Sequence, residues 1–119
     1  MLVADDIEEF EKLGMVHYSV LESFNIGRTF IDYPMNFVDI DCIMRTHPGN
    51  FVRPELARVK LYFFQCYDLK IRNILSLWGF ELAIEKHRSP ILEQVRFRVT
   101  EREENAFEFL CGGFVAEPL

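Results

Sequence analysis

From Met35 onward, apolar and polar residues alternate with a period of two through segment after segment. This constrains the fold more than any other feature, because successive side chains point to opposite sides only along a β-strand. In M-N-F-V-D-I-D-C-I-M, Val38, Ile40, Cys42 and Met44 point one way while Asp39 and Asp41 point the other. L-A-R-V-K-L-Y-F-F-Q-C sets Val59, Leu61 and Phe63 against Arg58, Lys60 and Tyr62, and D-L-K-I-R-N-I sets Leu69 and Ile71 against Lys70 and Arg72. F-E-L-A-I-E-K separates Phe80, Leu82 and Ile84 from Glu81 and Glu85. Q-V-R-F-R-V-T-E separates Val95, Phe97 and Val99 from Arg96 and Arg98, and A-F-E-F-L-C puts Phe107, Phe109 and Cys111 opposite Glu108. The connections are short, and a parallel crossover needs about a dozen or more linking residues. The pattern therefore predicts a mainly β (α+β) fold, an antiparallel meander of short strands. A single curved sheet, a sandwich and a partly open barrel all satisfy it, since closure is not written in the alternation.

The N-terminus reads differently. Ala4 to Leu13 is a short helix by pattern: Asp5 or Asp6 supplies the N-cap, Ile7, Phe10 and Leu13 recur every third residue, and Gly14 stops it. Met15 to Phe24 reads as a strand through Val16, Tyr18 and Val20, and Asn25 to Pro34 as a connection. Thr46 to Pro54, with Pro48-Gly49-Asn50, is a turn, and Gly112-Gly113 marks a bulge or bend in the last strand. At 119 residues the chain is one domain, residues 1–119, and its twelve Phe supply enough bulk for a core.

Several classes of function fit poorly. A net charge of −6 argues against nucleic-acid binding, which calls for a basic surface. No apolar run is long enough for a membrane helix, and M-L-V-A-D-D-I-E-E-F lacks the basic start of a signal peptide, so the expected location is the cytoplasm. Cys42, Cys66 and Cys111 are isolated and read as buried small hydrophobes. His17, His47 and His87 are equally scattered, and no phosphate-loop, zinc or nucleophile-elbow motif occurs. The expectation is a non-enzymatic protein with no cofactor and no metal. Carboxylates that share a strand face, for example Asp39 with Asp41 or Glu101 with Glu103, could serve acid–base chemistry, but no histidine, nucleophile or metal motif accompanies them.

The charge is unevenly placed. Residues 1–44 carry nine acids and two bases, whereas residues 45–119 carry ten acids and eleven bases. On the later strands, pairing of neighbours sets the arginines between glutamates, which assigns those residues a structural role. Asp39 and Asp41 have a similar reading if they face Lys60 or Arg58. If the helix and the Val38 to Met44 strand lie side by side, they present an acidic face with aromatic Phe30, Tyr33 or Phe37 nearby. Such a face suits a basic protein partner, and the candidate contact residues are Asp5, Asp6, Glu8, Glu9, Asp32, Tyr33, Asp39 and Asp41. The alternative is a small-molecule-binding β domain with an aromatic-lined pocket. A homodimer joined through an edge strand is compatible with either.

Two segments, V-K-L-Y-F-F-Q-C-Y-D-L-K-I-R-N and Q-V-R-F-R-V-T-E-R-E-E-N-A-F-E-F-L-C-G-G-F-V-A-E-P, resemble the small mostly-β bacterial immunity proteins of polymorphic toxin and contact-dependent growth inhibition systems. The likeness covers roughly the last 60 residues. It implies a cytoplasmic, non-catalytic protein that binds and neutralises a toxin domain by occluding its active or substrate-binding surface. The acidity agrees, because a nuclease toxin is basic where it holds phosphates.

Overall fold

The computed structural model describes residues 2–13, 19–27, 38–46, 58–72 and 81–119. Within them lie β1 (Val3–Ala4), α1 (Ile7–Lys12), β2 (Ser19–Gly27), β3 (Val38–Thr46), β4 (Arg58–Ile71), β5 (Leu82–Lys86), β6 (Phe97–Glu101), β7 (Phe107–Cys111) and β8 (Gly113–Pro118). The strands form one antiparallel sheet, curled into a half-barrel. Of the architectures left open by the alternation, this is the partly open barrel.

β4 joins the two halves of the sheet. Along its first part it pairs with β3 on one edge and β8 on the other; further on it pairs with β7. β2 extends the sheet beyond β3, β1 beyond β8, and β5 and β6 beyond β7. Consecutive strands therefore pair in two runs, β2-β3-β4 and β5-β6-β7, and the β4 pairings with β7 and β8 close the runs on each other. Only Gly112 separates β7 from β8, so both belong to one path that bends there. A Cβ on Gly112 would lie 2.7 Å from the Gln94 carbonyl oxygen, so glycine is required at the predicted bend.

The alternation fills the concave side. Ile40, Cys42 and Met44 of β3, Val59, Leu61 and Phe63 of β4, Phe97 and Val99 of β6, Phe107, Phe109 and Cys111 of β7, and Phe114 and Ala116 of β8 are buried. The rings meet edge to face, Phe63 with Phe109 at 5.1 Å and Phe97 with Phe114 at 5.2 Å between centroids. Such pairs contribute about 0.5–1.5 kcal/mol beyond their area. These ring contacts fill the space between the described strands.

α1 docks on this same side. A helix of six residues has no stability of its own in water. Asp6 caps it by accepting the Glu9 N–H at 3.1 Å, and Phe10, 1% exposed, anchors it against Phe114. The helix is shorter than the Ala4 to Leu13 expected. Val3 and Ala4 pair with Ala116 and Val115 instead, and Asp5 turns the chain with φ 55°. Three further expectations are corrected. The two strands read from residues 58–71 are one strand of 14 residues, irregular where Gln65 and Asp68 adopt positive φ. Ile71, expected inside, is 43% exposed at the strand's end. Part of the Asn25 to Pro34 connection, Asn25 to Gly27, prolongs β2. The Thr46 to Pro54 turn falls outside the described residues except for Thr46, which ends β3.

Candidate protein-binding face

Residues between the buried ones point to the convex side. On β3 these are Asp39, Asp41, Ile43 and Arg45; on β4 they are Arg58, Lys60, Tyr62 and Phe64. Register sets Asn25, Asp41, Tyr62 and Val115 in one row across four strands. In the next row Gly27 stands opposite Asp39, whose Oδ1 accepts the Gln65 N–H at 3.4 Å, and Phe64 stands opposite Gly113. Phe64 keeps 37% of its surface open. Tyr62 and Phe64 lie parallel, 6.4 Å apart with planes within 4°.

Charge is graded along this face. At one end Glu22 is held by Arg45 at 3.2 Å and by Arg58 at 2.8 Å. Arg58 therefore answers Glu22 and not the β3 aspartates. At the other end Asp39 and Asp41 stand with the two rings, and Asp41 accepts a hydrogen bond from the Asn25 amide at 3.3 Å. Among the described residues Lys60 stands beside them, 4.9 Å from the Tyr62 centroid. Its ammonium is pushed above the usual lysine range, first by the Tyr62 hydroxyl and then by Asp41 and Glu117.

The sequence-predicted residues divide between two places. Asp5 joins Asp39 and Asp41 on the convex side: its Oδ1 would lie 2.9 Å from a Cβ on Gly113. That oxygen accepts the Phe114 N–H at 2.7 Å, and Oδ2 pairs with Arg96 at 2.7 Å, so the carboxylate pins β1 to β8 and β6. Asp6, Glu8 and Glu9 belong to α1 on the concave side. Asp6 is the cap, Glu9 pairs with Lys12 at 2.8 Å, and Glu8 is exposed. The helix and β3 therefore do not lie side by side; the sheet separates their acids. Asp32 and Tyr33, like Phe30 and Phe37, lie outside the described residues. Tyr62 and Phe64 were not among the candidates, although the alternation already turned Tyr62 outward.

The later strands behave as their charges suggest. Arg98 lies opposite Glu85 and bonds Glu108 at 2.8 Å, while Arg72 reaches Glu108 at 3.2 Å. The pair Glu101 and Glu103 is no acid–base couple. Glu101, 1% exposed, accepts N–H bonds from Glu81, Glu103, Glu104 and Ala106 at 2.8–3.1 Å and so folds the β6–β7 turn around itself. Desolvation pushes the Cys42 and Cys111 thiols up to about 12, and Cys66 higher still. Among the described residues, no group of three or more His, Cys, Asp or Glu is placed to hold a metal, and no helix is long and apolar enough to cross a membrane.

A sheet that packs its core on one side and displays rings and charges on the other defines a β domain suited to contact with a macromolecule. A family model described as Immunity protein PIM8 matches residues 2–117, and the chain belongs to that family. No curated protein and no solved structure gives a significant match. The immunity-protein class expected from the two strand segments is thus the one that the family assigns.

Proposed function

We propose that this immunity protein acts in the bacterial cytoplasm by covering the active or substrate-binding surface of a cognate toxin domain, without catalysis. The observation that carries this reading is the convex row in which Asp39 and Asp41 adjoin Tyr62 and Phe64. Parallel rings on a fixed strand supply anchoring at low cost in side-chain entropy, and the acids steer a basic partner. A nuclease-type toxin fits, because its phosphate-binding surface is basic and two carboxylates occupy the place of phosphates. Asp39 and Asp41 are the centre of the proposed interface. The acids of α1 form a separate negative surface, and Asp32 and Tyr33 complete the set proposed from sequence.

The test is stopped-flow association of the purified toxin domain encoded beside this gene, over a range of salt. Asp39→Lys with Asp41→Lys is expected to slow association at low salt by about tenfold or more and to flatten its salt dependence. Tyr62→Ala with Phe64→Ala is expected to speed dissociation instead. Unchanged rates in both variants would reject this face.

A further inference from the structure

On the other half of the sheet, Asp5, Lys86, His87, Arg88, Arg96 and Phe97 line an open cleft of about 450 Å³. The geometry points to a binding site for a phosphate-class oxyanion there. Its floor is a pre-positioned arginine: Arg96 donates from Nε to the Gly112 carbonyl at 2.8 Å and from Nη2 to Asp5 at 2.7 Å. Its guanidinium lies 5.3 Å from the Phe97 ring centroid. Held at three places, the group offers its remaining N–H donors, those of Nη1 among them, without first losing rotamer freedom.

Asp5 is the one acid among the described lining residues, and both of its oxygens are already engaged, by Arg96 and by the Phe114 N–H. Lys86 and Arg88 are exposed and make no ion pair among the described residues. A positive excess is therefore gathered in a concave site on a protein of net charge −6. Concave walls of one sign concentrate the field on a counter-ion.

The cations are carried on a braced hairpin. The His87 N–H bonds the Arg96 carbonyl at 2.8 Å, and Ser89 Oγ accepts the N–H groups of Ile91 and Leu92 at 3.3 and 3.0 Å. Lys86, Arg88 and Arg96 bring three cationic groups to the lining of one cleft. That suits the spread oxygens of a tetrahedral anion better than the flat edge of a carboxylate. Because Asp5 follows β1 and Arg96 immediately precedes β6, an anion seated here also ties the N-terminal edge to the β5–β6 hairpin.

The experiment titrates the intact protein with inorganic phosphate and, separately, with a nucleoside monophosphate, at low ionic strength and with sodium chloride matched for ionic strength as the control. Readouts are the melting temperature and the NMR signals of the Arg96 Nε–H and of the amides of residues 86–88. The expected result is a saturable shift that chloride does not reproduce, with affinity at least about tenfold weaker in Lys86→Ser with Arg88→Ser. Both positions are exposed, and an unchanged melting temperature in chloride shows that the variant is folded. Equal affinity for the two ligands identifies free phosphate as the source; tighter nucleotide binding identifies a nucleotide. A shift that tracks ionic strength alone overturns the site, as does a titration unchanged in the double variant. Binding of an oligoglutamate peptide in preference to both phosphates overturns the choice of ligand.

Discussion

Removing the Glu101 carboxylate tests how much of this fold rests on one buried side chain. In Glu101→Ala four backbone N–H groups lose their acceptor. The Ala106 N–H is buried, so it bears the full penalty of an unmet donor, about 1–3 kcal/mol. Those of Glu81, Glu103 and Glu104 are only partly buried. Water recovers much of their bonding, leaving roughly 0.5–1 kcal/mol each. The expected loss is about 2.5–6 kcal/mol, a large share of the roughly 5–15 kcal/mol that holds a small domain folded. Glu101→Gln keeps the shape and one carbonyl oxygen, and about half the loss is expected. Urea unfolding at neutral pH measures both: the midpoint falls while the slope holds, because the surface exposed on unfolding is unchanged. Native-state hydrogen exchange adds a local check, since the amides of residues 103–106 lose protection first. A loss below about 1 kcal/mol in Glu101→Ala would refute the reasoning, because those donors would then have found other partners.

Two further outcomes follow from titratable groups. Hydrogen bonds from Arg98 and then Arg72 hold the Glu108 carboxyl below the usual carboxylate range. A group lowered on folding adds stability that is complete above its unfolded pKa, near ~4.3, and is lost as pH falls through the lower folded value. Glu108→Gln is therefore expected to flatten the acid limb of stability against pH, by a small amount because the site is open to solvent; superimposable limbs would rule this out. The three buried thiols, raised by desolvation, are expected to resist Ellman's reagent in the folded protein at pH ~8 and to react together in denaturant. Prompt labelling of any one before unfolding would contradict their burial.

How far the sequence carries depends on the range of the interaction. Alternation is local, so the inward sets of β3, β6 and β7 were legible residue by residue. β4 was not, because Gln65 and Asp68 interrupt the period, and an interrupted period looks like two strands. β1 carries no pattern at all in two residues; it exists because Val3 and Ala4 meet Ala116 and Val115 more than a hundred residues away. The candidate site followed the same rule. Asp39 and Asp41 were legible as outward residues, but the approach of Asp5 to β8 depends on Gly113, a position whose importance lies in what it lacks. The acids of α1 were assigned to the same face because charge bias along a chain says nothing of which side of a sheet a helix will cover.

The position of β8 between β1 and β4 bears on how such a chain comes into being. The last strand lies inside the sheet, with the first strand on one edge and the longest on the other. During synthesis, β4 waits through more than forty residues for the segment that completes its second edge, and β1 waits longer still. Until residues 113–118 have emerged, Phe10 and Phe63 lack the Phe114 ring they pack against. A ribosome that stalls short of Gly113 releases an unclosed sheet with its hydrophobic interior bare, a substrate for proteases.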